Sequence, residues 1–294
     1  MSSPDAGFVL PVDKPVGPTS HDIVAAARKG LRTRKIGHTG TLDPFASGVL
    51  VLCVGPATRI AEYLSGLDKS YLATARLGEV TETDDLEGAI LERHSGWAAL
   101  DEGHIASTLA GFVGPIDQVP PQYSAKKIGG EAMYHKARRG EHVELQPNRV
   151  TIYEADLIAV DLPLVRFRVR CSTGTYVRAL ARDLGRALGV GAHLTELRRT
   201  AVGAFDVARA IPVASLADPA EVERAAVSPL RALTHLPTWT VGQDVACRLA
   251  HGQRVPYTGE DPGASAVVAA DDGGGLVAIG SASSGLFKPS KVFS

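Results

Sequence analysis

"LVRFRVRCSTGTYVRALARDLGRALG", residues 164–189, changes its period in the middle. Up to Cys171 apolar and basic residues alternate, so Val165, Phe167, Val169 and Cys171 share one side and Arg166, Arg168 and Arg170 the other. A period of two is that of a strand with one side in a core and, here, a basic outer side. After "TGT" the apolar residues Val177, Leu180, Ala181, Leu184 and Leu188 recur at helical spacing, with a glycine stop at the carboxyl end. A strand feeding a helix, in a chain without regular strand-helix alternation, predicts an α+β fold rather than a doubly wound one.

The flanking elements agree. "FVLPVD" (8–13) reads as a short strand, and "TSHDIVAAARKG" (19–30) as a helix with Thr19 and Asp22 at capping-box spacing and Gly30 at its end. "VLVLCVG" (49–55) is an apolar run bounded by turn formers, hence a buried strand. "SYLATARL" (70–77) alternates and puts Tyr71, Ala73, Ala75 and Leu77 on one side. Residues 118–149 are punctuated by proline and glycine, basic, and hold one short amphipathic helix, which predicts an excursion from the core such as a lid or arm. Residues 205–236 read as helical linker, and the glycine-rich, strand-poor tail 237–294 as a small β domain.

At 294 residues the chain is long enough for one large domain and a smaller one. Its 45% hydrophobic and 21% charged residues are those of an ordinary globular protein. The amino terminus lacks the basic and apolar regions of a signal peptide, and no apolar run is long enough to cross a bilayer, so a cytoplasmic location is expected. Three widely separated cysteines argue against a disulfide framework or a CxxC metal site. Net charge is −1, yet the charge is segregated: "RKGLRTRK" (28–35) has five basic residues and no acid, whereas "GEVTETDDLEG" (78–88) is acidic. One face can therefore meet phosphates while the molecule stays near neutral; the competing reading is of solvated charged faces.

"GHTGTLDPFASGVL" (37–50) crowds glycines around one carboxylate, Asp43. Pro44 pushes Asp43 out of the helical region, and the glycines permit tight turns around it. An isolated Leu-Asp-Pro reads as a plain turn. The loop lacks the GxxxxGK[ST] spacing of a phosphate cradle, and the histidines lack metal-ligand spacing, so no metal site is expected.

Five blocks in order decide between these readings: "VDKPVGPTSHDIV" (12–24), "KIGHTGTLDPFASGVLVLCVGPATR" (35–59), "KSYLATARLGEVTETDDLEG" (69–88), "GTYVRALARDLG" (174–185) and "GAHLTELRRTAVGAF" (191–205). In this order the chain resembles the TruB family, the bacterial tRNA pseudouridine-55 synthases, over residues 8–205. The resemblance implies a pseudouridine synthase core with a mixed, mainly antiparallel sheet flanked by helices, spanning 1–236. It also implies an RNA-gripping insertion at 118–149 and a small PUA-like β domain at 237–294.

The implied activity is isomerisation of uridine 55 in the T-loop of tRNA to pseudouridine, by base flipping and an aspartate-dependent rearrangement to a C-glycoside, without a cofactor. On the same resemblance Asp43 matches the catalytic aspartate. Arg178 matches the arginine that pairs with it, Tyr71 the tyrosine stacked on the target uracil, Tyr176 a second active-site tyrosine, and Leu197 the residue closing the pocket. His38 matches a histidine that contacts the opened T-loop, and Lys14 and Pro15 a structural motif. Whether the aspartate attacks ribose C1′, takes a proton from C2′ or adds to C6 of the base stays open. The partner implied is tRNA, with no membrane and no guide RNA, and the chain is expected to act as a monomer. Two rival readings are an N-glycosidase-like hydrolase, whose second carboxylate "TETDDLEG" would offer, and an RNA-binding or tRNA-folding module without catalysis.

Overall fold

The computed structural model describes residues 7–123, 127–128, 131–132, 145–263 and 266–293. Strand β1 (Phe8–Lys14) leads into helix α1 (Ser20–Gly30), followed by β2 (Ile36–His38) and β3 (Ser47–Val54). The capping box forms as its spacing predicts: Asp22 N donates to Thr19 Oγ1 at 3.1 Å and Thr19 N to the Asp22 carboxylate at 2.8 Å. Gly30 closes the helix for a different reason from the one expected. Leu31 makes the cap with ordinary right-handed backbone, and a Cβ on Gly30 would lie 2.7 Å from the Leu216 carbonyl oxygen, so the glycine serves close packing.

Helix α2 (Ala61–Ser65) precedes β4 (Lys69–Leu77), a hairpin of β5 (Glu79–Thr81) and β6 (Ile90–Arg93), α3 (Glu102–Ala110) and β7 (Gly114–Gln118). Two short paired strands, β8 (Lys127–Ile128) and β9 (Glu131–Ala132), belong to the 118–149 excursion. The amphipathic helix expected there lies outside the described residues. The chain continues with β10 (Asn148–Asp161), β11 (Leu164–Cys171), α4 (Val177–Ala187), β12 (Ala192–Val202), β13 (Phe205–Asp206) and β14 (Ile211–Pro212).

One ten-stranded sheet results, in the order β14-β1-β3-β12-β4-β11-β10-β7, with β2 added on β3 and β13 on β12. It is mixed and mainly antiparallel; only β1 with β14 and β3 with β12 run parallel. β3 is apolar from Val49 to Val54 because both its faces are covered there. Leu50, Leu52 and Val54 pack with Ile23, Val24 and Ala27 of α1, whereas Val49, Val51 and Cys53 pack on the opposite side with Ile60 and Leu64. The inward rows of β4 and β11 meet Leu180, Ala181 and Leu184 of α4 in a third cluster. The outer side of β11 is less basic than its sequence suggests: Arg168 pairs with Asp156 at 3.1 Å, Arg170 with Glu154 at 2.9 Å, and Arg166 with Glu196 at 3.8 Å. That face reads as solvated, charge-compensated surface.

Residues 205–236 are more than linker. β14 joins the sheet edge, and Ile211, Leu216, Val222 and Ala225 are buried against the α1 side of the core. The tail forms a second sheet of β15 (Thr238–Val241), β16 (Val255–Pro256), β17 (Val267–Asp271), β18 (Leu276–Ser283) and β19 (Leu286–Val292). Its order is β15-β17-β18-β19-β16, so the tail is strand-rich despite its glycines. Val268 and Ile279 of this sheet share an apolar cluster with Val9, Val49 and Val51. Among the described residues no helix is long and apolar enough to cross a membrane.

Candidate active site

Asp43 sits on the loop between β2 and β3, and that loop is tied down by buried polar side chains. Ser20 Oγ, in the first turn of α1, accepts from Leu42 N at 2.8 Å and donates to Leu42 O at 3.1 Å. Lys14, at the end of β1 and with no exposed surface, donates from Nζ to Ala46 O at 2.6 Å and Pro15 O at 3.0 Å. Burial pushes this lysine down to about 8, with the Asp43 charge opposing the fall. Arg199 on β12, 2% exposed, donates to Val49 O at 2.8 Å, Gly40 O at 3.1 Å and Thr41 O at 3.3 Å. Two buried cations thus hold the loop's carbonyls, which would otherwise lack partners away from water.

Arg178 lies in the first turn of α4 and reaches the loop from the other side. Its Nε meets Asp43 Oδ2 at 3.0 Å, and its Nη1 meets Asp85 Oδ2 at 3.1 Å. Nη1 also donates to Thr83 O and Nη2 to Tyr123 O, each at 2.9 Å. Far from a solvated helix-start residue, this side chain is 6% exposed and bound along every edge of its guanidinium. Asp43 differs from its neighbours in keeping 36% of its side chain open to the cleft, while protein crowds it on the remaining sides. That crowding raises its pKa: desolvation is the largest cause, the Arg178 charge pulls the other way, and the Asp85 charge adds to the rise.

The cleft over Asp43 has a volume of about 440 Å³ and is lined by His38, Asp43, Tyr71, Tyr176, Arg178 and Leu197, all six residues singled out in the sequence. Such a volume suits a small ligand. Tyr71, in the inward row of β4, is 7% exposed, and burial pushes its phenol upward. It is at once a core residue and a wall of the cleft. Leu197 faces the cleft from β12, paired in register with Ala73 of β4. Tyr176 is the cap residue of α4 and makes no side-chain cap bond. Its backbone is fixed instead by Gln118, 1% exposed, which accepts from Tyr176 N at 2.8 Å and donates to Tyr176 O at 3.1 Å. His38 accepts from Gly40 N at 3.3 Å through Nδ1 and stands edge-on to His21, with ring centroids 5.7 Å apart. Burial lowers its pKa, and the His21 and Arg199 charges push the same way.

Sequence reasoning did not single out Asp85, Arg199, Lys69 and Gln118. Asp85 lies in the acidic stretch quoted for the hydrolase reading, but it is 4% exposed, bound to Arg178 and absent from the cleft lining. It therefore supports the arginine and offers no free second carboxylate to a substrate. Arg199 and Lys69 line the cleft, and burial lowers Lys69 to about 8. Gln118 has no sequence signal, because only the packed fold brings it to Tyr176. No group of His, Cys, Asp and Glu among the described residues is placed to hold a metal ion.

The sheet that carries this carboxylate and its buried arginine is that of a pseudouridine synthase. Solved structures with this fold include a Cbf5-Nop10-Gar1 complex, 28% identical, with a TM-score of 0.77 over 100% of this chain and 91% of that one. The archaeal box H/ACA sRNP Nop10-Cbf5 complex is 26% identical, with a TM-score of 0.75 over 99% of this chain and 87% of that one.

Residues 28–177 match the amino-terminal domain model of the TruB family pseudouridylate synthases, and residues 178–235 match the tRNA pseudouridylate synthase B carboxyl-terminal domain. A protein of Arthrobacter sp. (strain FB24) named tRNA pseudouridine synthase B is 44% identical over 98% of this chain and 96% of its own length. One of the same name from Burkholderia lata is 46% identical over 86% of this chain and 79% of its own. The chain belongs to the TruB family of pseudouridylate synthases.

Proposed function

We propose that this enzyme isomerises uridine 55 in the T-loop of tRNA to pseudouridine, with Asp43 as the group that acts on the nucleotide. The bond from ribose C1′ to N1 is broken, the base turns, and a bond from C1′ to C5 replaces it; the hydrogen leaves C5 and N1 gains one. No atoms are added or lost. The observation that carries this reading is the asymmetry of Asp43, one edge on the Arg178 Nε at 3.0 Å and 36% of its side chain left open where it lines the cleft. A carboxylate so held is oriented as a nucleophile or base. Tyr71, Tyr176 and Leu197 would enclose the everted uracil, and turning it out of its stack costs about a few kcal/mol. Arg178 positions the aspartate, and His38, which lines the cleft beside Gly40, contacts the opened loop.

Arg32, Arg34 and Lys35, cations with no ion pair among the described residues, support contact with RNA phosphates. We further read 1–236 as the catalytic unit, 118–149 as its RNA-gripping insertion and 237–294 as a small PUA-like domain. Recognition rests on loop shape, without a guide RNA. The test is incubation of an unmodified tRNA transcript, followed by chemical labelling and mass spectrometry, since substrate and product have equal mass. Pseudouridine at position 55 is expected from the unsubstituted chain. Asp43→Asn should bind the transcript within a few-fold yet form none. Free uracil in the supernatant would instead indicate a hydrolase, and retained turnover by Asp43→Asn would exclude this aspartate.

A further inference from the structure

Helix α4 carries two arginines four residues apart, Arg178 and Arg182, which therefore project from the same face. Their contacts repeat one step apart. Arg178 Nη1 holds Asp85 at 3.1 Å and its Nη2 holds the Tyr123 carbonyl at 2.9 Å. Arg182 Nη1 holds Asp84 at 2.9 Å and its Nη2 holds the Val119 carbonyl at 2.8 Å. The two carboxylates are consecutive in sequence, and the two carbonyls lie four residues apart where the 118–149 excursion leaves the sheet. Asp84 adopts φ +60°, the left-handed region, which aspartate enters more readily than most residues other than glycine. Its carbonyl accepts from Leu194 N at 3.0 Å, which docks the acidic turn on β12. Burial raises the Asp84 carboxyl, and the Arg182 charge is the chief influence opposing it.

Arg182 does not line the cleft. Two of the segments that touch Arg178, the 83–85 turn and the 119–123 stretch, are nevertheless also held by Arg182. A segment bound to the helix at a single point can swing about it, whereas two points fix its direction. We propose that Arg182 is a positioning residue, a second clamp that sets the acidic turn and the root of the excursion so that the Arg178 guanidinium is presented to Asp43 in one orientation. The inference rests on the reading of Asp43 and Arg178 as the working pair.

Arg182→Lys tests it, because a lysine keeps a positive charge beside Asp84 but replaces the rigid planar fork that spans Asp84 and Val119 O with a single ammonium centre. Single-turnover rate and KM on an unmodified tRNA transcript are measured beside the unsubstituted chain. A rate lowered ten-fold or more with KM within three-fold is expected, and the same from Asp84→Asn/Arg182→Gln, which removes both charges. Combined with Asp85→Asn, Arg182→Lys should cost less than the product of the two single losses, since both act through Arg178. Rates within two-fold of the unsubstituted chain, a loss confined to KM, or fully multiplicative losses would each overturn the proposal. Absence of turnover by the unsubstituted chain would overturn both readings at once, whereas turnover with an indifferent Arg182→Lys overturns this one alone.

Discussion

Asp43 is held at 3.0 Å by Arg178 while burial works against its charge. Because its pKa is raised, the ionised carboxylate is lost as pH falls through a value above the usual carboxylate range. The acid limb of kcat/KM against pH should accordingly bend above that range, and a limb at an ordinary carboxylate value would contradict the desolvation seen here. Arg178→Ala should lower turnover on the order of 100-fold with tRNA binding changed only a few-fold. It should also destabilise the fold by about 3–5 kcal/mol, because Asp85, 4% exposed, loses its charged partner. Tyr71→Ala should show the same split between turnover and binding. Equal losses in both quantities would make these residues parts of the fold or of RNA binding alone. Tyr71 also shows where periodicity stops: its row on β4 places it inward, but inward here means both core and cleft.

Elements meet at the site through one joint, the parallel pairing of β3 with β12, where Gly48 stands opposite Arg199. Gly48 has φ +108°, and a Cβ there would lie 2.1 Å from the Arg199 carbonyl oxygen. Gly48→Ala should therefore cost about 3 kcal/mol or more, read as a fall in the urea midpoint, and should disturb the Arg199 bonds to the Asp43 loop. An unchanged midpoint would mean that the joint relaxes. The alternation in residues 164–171 foretold which side of β11 is buried, since that depends only on period. The fate of its arginines was not legible, because Glu154 and Asp156 come from a neighbouring strand and Glu196 from further along the chain. The start of α1 was legible because a capping box is local; the reason for Gly30 was not, since Leu216 is remote in sequence.

At the scale of the whole molecule, the ten-stranded sheet and the tail share apolar contacts through Val268 and Ile279. Two buried lysines leave a mark on stability. Lys14 and Lys69 have pKa values of about 8 in the folded chain against 10.5 for an ordinary lysine. Between these values the unfolded chain holds protons that the folded chain has released, so their contribution to stability rises with pH across that window. From pH 8 to pH 10 the unsubstituted chain should gain stability relative to Lys69→Met, measured as urea midpoints at both pH values. A constant difference between the two proteins would show that Lys69 is not desolvated.

Period and capping are local properties, carried by residues a few positions apart, and so the α+β class and the main strands and helices were legible in the sequence by itself; the aspartate loop alone reads as a turn, and the candidate site came from the resemblance of five ordered blocks to the TruB family. Pairings between distant residues obey a different rule. Arg178 and Asp85 are 93 residues apart, and nothing in either neighbourhood says that they meet. Their contact, the Gln118 brace on Tyr176 and the burial that raises Asp43 arise only when the sheet closes, because desolvation and charge pairing depend on what surrounds a group in space.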